Sequence, residues 1–321
     1  MPSGLYQRER DMHKDKVDVH QAITDKIIAE LENGTAPWLK PWSSEKAIKL
    51  GGAGPQGWQP RNAISNRRYN GINVLLCWLH MSEHGLDTGN AAYLTYRQAQ
   101  GLGGHVKAGA KACQIVLWKD YQKRITAADG TSELKKLLYA TTYNVFHIDQ
   151  TEGVVLPVAE PLPEVKNLAD DEAWQAFIKA TGADVRHGGD RAFYARTPDY
   201  VQMPVAESFR SPDLYKATAL HELTHWTGHD SRMKREFGKR FGDQAYAVEE
   251  LVAELGAAFL CADHGIDHPE LRHAAYIETW LQALKKDNRI IMTASSQASK
   301  AVQWLEDKVA PPKAEQQQEA A

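Results

Sequence analysis

Residues 221–225 read HELTH, and the spacing of those two histidines restricts the fold more than any other stretch of the chain. On a helix, side chains four residues apart project from one face, one turn above the other. His221 and His225 would then aim two imidazoles at one point, where zinc takes nitrogen ligands at about 2.0–2.1 Å. Glu222, next to the first histidine, can reach a water at such an ion without binding the ion itself, which places it as a general base. A catalytic zinc keeps three protein ligands and one open position. The rest of the chain must therefore bring a third donor to this helix.

The segment AVEELVAELGAAFLC, 247–261, can supply it. Glu250 and Glu254 lie four apart on one face of an apolar helix, where an unpaired carboxylate is costly. One can bind the metal while the other orients a histidine through its free ring nitrogen. Ser231 stands where the metzincin pattern HExxHxxGxxH needs its last histidine, and His229 comes two residues early. A glutamate is then the expected third ligand. By analogy with zincins of that kind, Glu250 binds and Glu254 supports, with the reverse assignment open. Zinc is the expected ion, and another divalent metal is not excluded by affinity orders. Tyr246, just before this helix, reads as a packing residue. The segment RAFYARTPDYVQMP before the HELTH helix is expected to supply a hairpin whose edge strand can pair with an extended peptide.

Apolar periodicity and breakers place helices at 13–33 and 70–84, then strands in AAYLTY, CQIVLWKDY and LLYATTYNVFHI. A helix near 168–181, the strands RAFYAR and YVQMP, and helices near 212–229, 244–264, 270–286 and 288–309 follow. The proline-rich stretch EGVVLPVAEPLPEVK separates the two groups. The expected fold is α+β in two domains: an N-terminal α+β domain over 1–151, a linker over 152–166, and a mainly helical domain with a small sheet over 167–310. The tail 311–321 is expected to be disordered.

The first domain is basic. Between Asn33 and Arg124 there are 12 lysines and arginines against 4 acidic residues, a net +8, although the whole chain carries −3. Aromatic rings are interleaved with these cations: Trp38, Lys40, Trp42, Trp58, Arg61, Arg67, Arg68, Tyr69, Tyr93, Tyr96, Arg97, Lys107, Lys111, Trp118, Lys119 and Tyr121. Cations that follow phosphates and rings that stack on unpaired bases suit single-stranded nucleic acid. Trp58 and Trp118 fit a core equally well. No groove-reading helix-turn-helix or zinc-finger pattern is present. GLGGHVKAGAKA lacks GK[ST] and GxGxxG and is not read as a nucleotide site. Cys77, Cys113 and Cys261 form no CxxC pair, which argues against disulfides and thiolate zinc and fits a cytoplasmic setting. No apolar run reaches the roughly 20 residues that cross a bilayer.

WLKPW, RNAISNRRYNGINVLLCW, YLTYRQAQGLGGHVKAGAKA, VLWK and YNVFHIDQTEG together resemble the N-terminal domain of ArdC-type plasmid antirestriction proteins. The same domain opens some conjugative plasmid primases. HELTHWTGHDSR followed by EELVAELGAAFL is similar to the zincin-like metallopeptidase domain of that family. The resemblance covers roughly residues 15–310. It implies a single-stranded-DNA-binding domain joined to a metal-dependent peptidase, on a protein that travels with mobile DNA and protects it from restriction. A host protein is the implied peptidase substrate or restriction-system target. The rival reading is a non-catalytic DNA-binding antirestriction protein with a structural metal. A primase fragment is disfavoured, because no carboxylate cluster for polymerase magnesium is apparent.

Overall fold

The structure is a computed structural model that describes residues 18–38, 58–126, 132–156, 168, 171–238, 244–266 and 274–309. The first helix, α1 (Val19–Glu32), starts at Asp18, whose carboxylate accepts from the backbone N–H groups of His20 and Gln21. It buries Ile23, Ile27 and Leu31, the four-residue repeat of the sequence. Helix α2 (Ile72–His84) is apolar on most sides and stops at Gly85, which takes the left-handed conformation at φ 60°.

Four strands form the N-terminal sheet, β1 (Arg61–Asn62), β2 (Ala92–Leu94), β4 (Cys113–Thr126) and β5 (Ser132–His147), in the order β1-β2-β5-β4. β3 (His105–Val106) pairs with β6 (Thr151–Glu152) separately. β2 pairs with β5 only at His147 and Phe146, whereas β4 and β5 pair along the whole of β4. Most of their length is therefore a two-stranded ribbon. The stretch AAYLTY is a strand only to Leu94, which corrects the sequence expectation. Thr95 and Gln98 form a reciprocal capping box that starts α3 (Tyr96–Gly101), and that local hydrogen bonding ends the strand.

The C-terminal part opens with α4 (Asp171–Thr181) and a sheet of β7 (Val185–His187), β8 (Phe193–Ala195) and β9 (Tyr200–Met203) in the order β7-β9-β8. YVQM is thus the central strand, and β8, from the RAFYAR arm of the expected hairpin, lies at the edge. The two flanks of YVQM are filled by β7, which runs parallel, and by β8, which runs antiparallel. Helices α5 (Pro212–Thr227), α6 (Gln244–His264), α7 (Ala274–Lys286) and α8 (Ile290–Val309) complete the fold.

The two parts share one apolar core. Trp78 of α2 meets Phe259 of α6 edge-on, and Trp38 meets Trp280 of α7 in the same way. The backbone N–H of Trp58 donates to Ala262 O at 2.8 Å, and the Thr24 hydroxyl donates to Asn288 O at 2.8 Å. Among the described residues no helix is long and apolar enough to cross a membrane.

Candidate metal centre

Helix α5 carries the HELTH segment and is buried around most of its surface. It starts where the Ser211 hydroxyl accepts from Leu214 N–H, with Pro212 in the first turn and Asp213 complementing the dipole. Polar side chains in so buried a helix need partners. Helix α6 supplies them. His221 Nε2 lies 3.7 Å from Glu250 Oε2, and His225 Nε2 lies 3.6 Å from Glu250 Oε1. One donor atom from each of His221, His225 and Glu250 falls within 4.8 Å of the others. Ligands at about 2.1 Å around a tetrahedral ion stand about 3.4 Å apart, so a small closing movement brings this set to bonding distance.

The outer ring nitrogens have partners of their own. His225 Nδ1 donates to Glu249 Oε1 at 3.0 Å, and His221 Nδ1 lies 3.4 Å from Glu254 Oε2. Each imidazole is thus turned with Nε2 toward Glu250 by a different carboxylate. Arg235 holds Glu249 through two hydrogen bonds, Nε to Oε2 at 2.9 Å and Nη2 to Oε1 at 2.8 Å. The same guanidinium donates to Thr224 O and Thr227 Oγ1 at the end of α5. Tyr246, one turn before Glu250, hydrogen-bonds that carboxylate.

Four buried glutamates, Glu222, Glu249, Glu250 and Glu254, face two histidines and one buried arginine in this small volume. A surplus of buried negative charge fits a bound cation and would be costly without one. Burial opposes ionisation of Glu250, but His221, His225 and Tyr246 outweigh it and hold its carboxyl at about 2. Burial likewise disfavours charge on His221, yet Glu250 and Glu254 push its imidazole well above the ordinary histidine value.

The sequence reading expected Glu254 alone to back the ligands. The structure puts Glu254 behind His221 and Glu249 behind His225. Glu249 had a signal available, since an acidic residue beside Glu250 in an apolar helix needs a partner. Arg235 had none, because it reaches the site from the irregular segment after α5. His229 is turned elsewhere, with its Nδ1 bonded to the Ser231 hydroxyl at 2.8 Å.

The basic and aromatic residues divide. Trp38 is wholly buried against Trp280, so its ring has no face open to a base, contrary to expectation. Trp58 and Tyr93 are core residues too. Half-buried Arg68 is engaged by carboxylates of the protein: its Nη1 lies 3.1 Å from both Asp263 Oδ1 and Glu306 Oε1. Arg61 donates to Asn90 Oδ1, and half-buried Tyr69 packs edge-on against Tyr93. Arg67, Tyr96, Arg97, Lys107, Lys111 and Trp118 are exposed, and Lys119 bonds the Tyr143 hydroxyl. Lys40 and Trp42 lie outside the described residues.

Comparison with known proteins agrees with this layout. A family model described as the N-terminal domain of anti-restriction factor ArdC matches residues 17–146, and one described as zincin-like metallopeptidase matches residues 172–297. The fold is similar to the crystal structure of the antirestriction ArdC protein from R388 plasmid in metal-free form. The TM-score is 0.74 at 39% identity, over 91% of this chain and 98% of that one. The Mn(II)-bound form of the R388 protein matches with a TM-score of 0.70 at 37% identity, over the same shares of the two chains. Protein y4eC of Sinorhizobium fredii is 34% identical over 90% of this chain and 91% of its own length. A DNA primase TraC of Escherichia coli is 34% identical over 92% of this chain, but the match spans only 20% of the primase.

Proposed function

The chain belongs to the ArdC family of antirestriction proteins, and we propose that it binds single-stranded DNA with its N-terminal domain and hydrolyses peptide bonds with its C-terminal one. The working boundaries are 1–151 for the first domain and 167–310 for the second, joined by 152–166. The setting is the cytoplasm of a cell receiving mobile DNA, and the substrate is a host protein, one whose removal or occupation spares that DNA from restriction.

His221, His225 and Glu250 are the residues that would hold a divalent ion. Two imidazoles and a carboxylate suit zinc, and the Mn(II) form of the R388 protein keeps manganese as the second choice. When bound, such an ion supplies Lewis acidity toward a carbonyl and toward water. Glu222 has the proton-transfer role: its buried carboxylate takes a proton from water and later gives it to the departing amine nitrogen. Glu254 and Glu249 hold the two imidazoles in orientation. β8, on the flank of the small sheet and in the same hairpin as β9, is placed to pair with an extended peptide.

The observation that carries this reading is the convergence of the three donor atoms within 4.8 Å. Glu222→Gln tests it, because Glu222 is not among those donors. The variant should retain about one equivalent of metal and lose peptide hydrolysis. Failure of the wild-type protein to bind a divalent ion would remove the site. If the variant protects DNA as well as the wild type, the non-catalytic reading takes over the biological role and the metal site stands.

A further inference from the structure

The ribbon β4–β5 has two faces that differ in chemistry. Cross-strand partners share a face, and successive residues on a strand point to opposite faces. The pairs Ile115↔Tyr143, Leu117↔Thr141 and Lys119↔Tyr139 therefore lie on one face, and Trp118↔Ala140 lies on the other. Trp118 and Lys119 are thus divided between the two faces and cannot serve one continuous track. The Trp118 ring lies 5.5 Å from that of His20 on α1, which marks its face as the one turned to the body of the protein. That face also borders a cleft of about 570 Å³ between α1, α2 and the ribbon, whose lining includes Lys26, His84 and Lys111.

The opposite face is buried at its base, at Cys113 and Val145, and opens further along the ribbon. Leu117, Tyr139 and Tyr143 are 48%, 45% and 38% exposed. Tyr139 and Tyr143 stand four residues apart on β5, about 13 Å by the strand rise. Lys119 is paired with Tyr139, and its ammonium reaches Tyr143, 2.6 Å from the hydroxyl and 5.2 Å from the ring centre. We infer that this outer face is the track for single-stranded DNA, with bases stacking on Tyr139 and Tyr143 and Lys119 between them meeting the phosphates. The inference rests on the proposed DNA binding of this domain and gives it a location. Exposed rings beside a lysine suit a polyanion with unpaired bases. The +8 balance of residues 33–124 has the complementary sign.

The test is the binding of a labelled oligothymidylate to the full-length protein by fluorescence anisotropy across a salt series. Tyr139→Ala and Tyr143→Ala should each weaken binding by about 5- to 150-fold without changing the salt slope, and Tyr→Phe at either position should restore it. Lys119→Gln should flatten the slope of log K against log salt by about 0.7. Trp118→Leu and Lys26→Gln, on the other face, should lose less than either tyrosine variant. Photocrosslinking of a bromodeoxyuridine oligonucleotide to the wild-type protein gives a readout that needs no variant, with adducts expected at Tyr139 or Tyr143. Wild-type affinity in the double tyrosine variant would overturn the inference. So would adducts confined to the cleft, or tyrosine variants that alter only self-association in sedimentation. A wild-type protein that binds no oligonucleotide would remove the DNA-binding reading itself, a result distinct from the others.

Discussion

Gly256 faces Thr224 so closely that a methyl group on the glycine would lie 2.5 Å from Thr224 Cγ2 and 2.7 Å from its Oγ1. This contact sets how near α6 comes to α5, and so how near Glu250 comes to His221 and His225. Gly256→Ala should force the helices apart, at a cost of about 1–3 kcal/mol in stability. Metal affinity should fall with it, because the three donors sit on the two displaced helices. Thermal unfolding and a metal titration measure both effects. Adding Thr224→Ala makes room for the methyl group and should recover part of each loss. Undiminished metal affinity in Gly256→Ala would show that the helix spacing does not control the site.

The chain Arg235–Glu249–His225 fixes one of the proposed metal ligands from behind. Glu249→Gln keeps the shape but weakens the acceptor for His225 Nδ1, and metal affinity should drop about 10- to 100-fold. Arg235→Met is expected to be worse for the fold. It leaves Glu249, which is only 4% exposed, without its guanidinium, a change of the kind that costs about 3–5 kcal/mol. Chemical denaturation of the metal-free proteins separates the two cases: Arg235→Met should shift the midpoint far more than Glu249→Gln.

The same residues show what a sequence can and cannot disclose. His221, Glu222, His225 and the pair Glu250 and Glu254 stand out because helical periodicity converts their spacing into a shared face. The long helices were readable for the same reason. Spacing does not say which neighbour a side chain turns to, so it points to Glu254, which does back His221, but not to Glu249 behind His225. Arg235 acts across a loop, where no periodicity applies. Among the aromatic residues the limit was burial: Trp38 and Trp118 look alike in sequence, and only packing shows that one is wholly enclosed and the other 44% exposed. Strand order is likewise tertiary: the hairpin of β8 and β9 is readable in the sequence, but the parallel pairing of β7 on the other side of β9 is not.

Opposite pH trends are expected with and without metal. Glu250 and Glu254 raise His221 above its ordinary value against the effect of burial. In the metal-free protein this charged pairing contributes its full stability below the unfolded value of about 6.5 and loses it as pH rises through the raised value. A metal ion needs the neutral imidazole, so its affinity should rise over the same range. The gap in Tm between loaded and metal-free protein should therefore widen as pH rises from about 6.5 through the raised His221 value. A gap that stays constant would mean that His221 does not exchange its proton for the ion.

Arg68 joins the two halves of the molecule by standing between Asp263 and Glu306. Asp263 is almost wholly buried, and burial pushes its carboxyl well above the usual range, with Arg68 pulling the other way. Glu306 is raised as well, again chiefly by burial. Arg68→Met removes the shared cation, and both carboxyls should move further up. A carboxyl raised on folding stabilises fully below its unfolded value, and that contribution is lost as pH rises toward the folded one. The variant should therefore lose stability, relative to wild type, progressively as pH rises above the unfolded carboxylate range of about 4 toward the raised folded values. Asp263→Asn added to it removes one of the uncompensated charges and should restore most of the loss at neutral pH. Salt-dependent oligonucleotide binding supplies the complementary measurement. A guanidinium held between buried Asp263 and half-buried Glu306 is not free to follow a phosphate, so Arg68→Met should leave the salt slope unchanged; a slope flatter by about 0.7 would place Arg68 on the DNA instead.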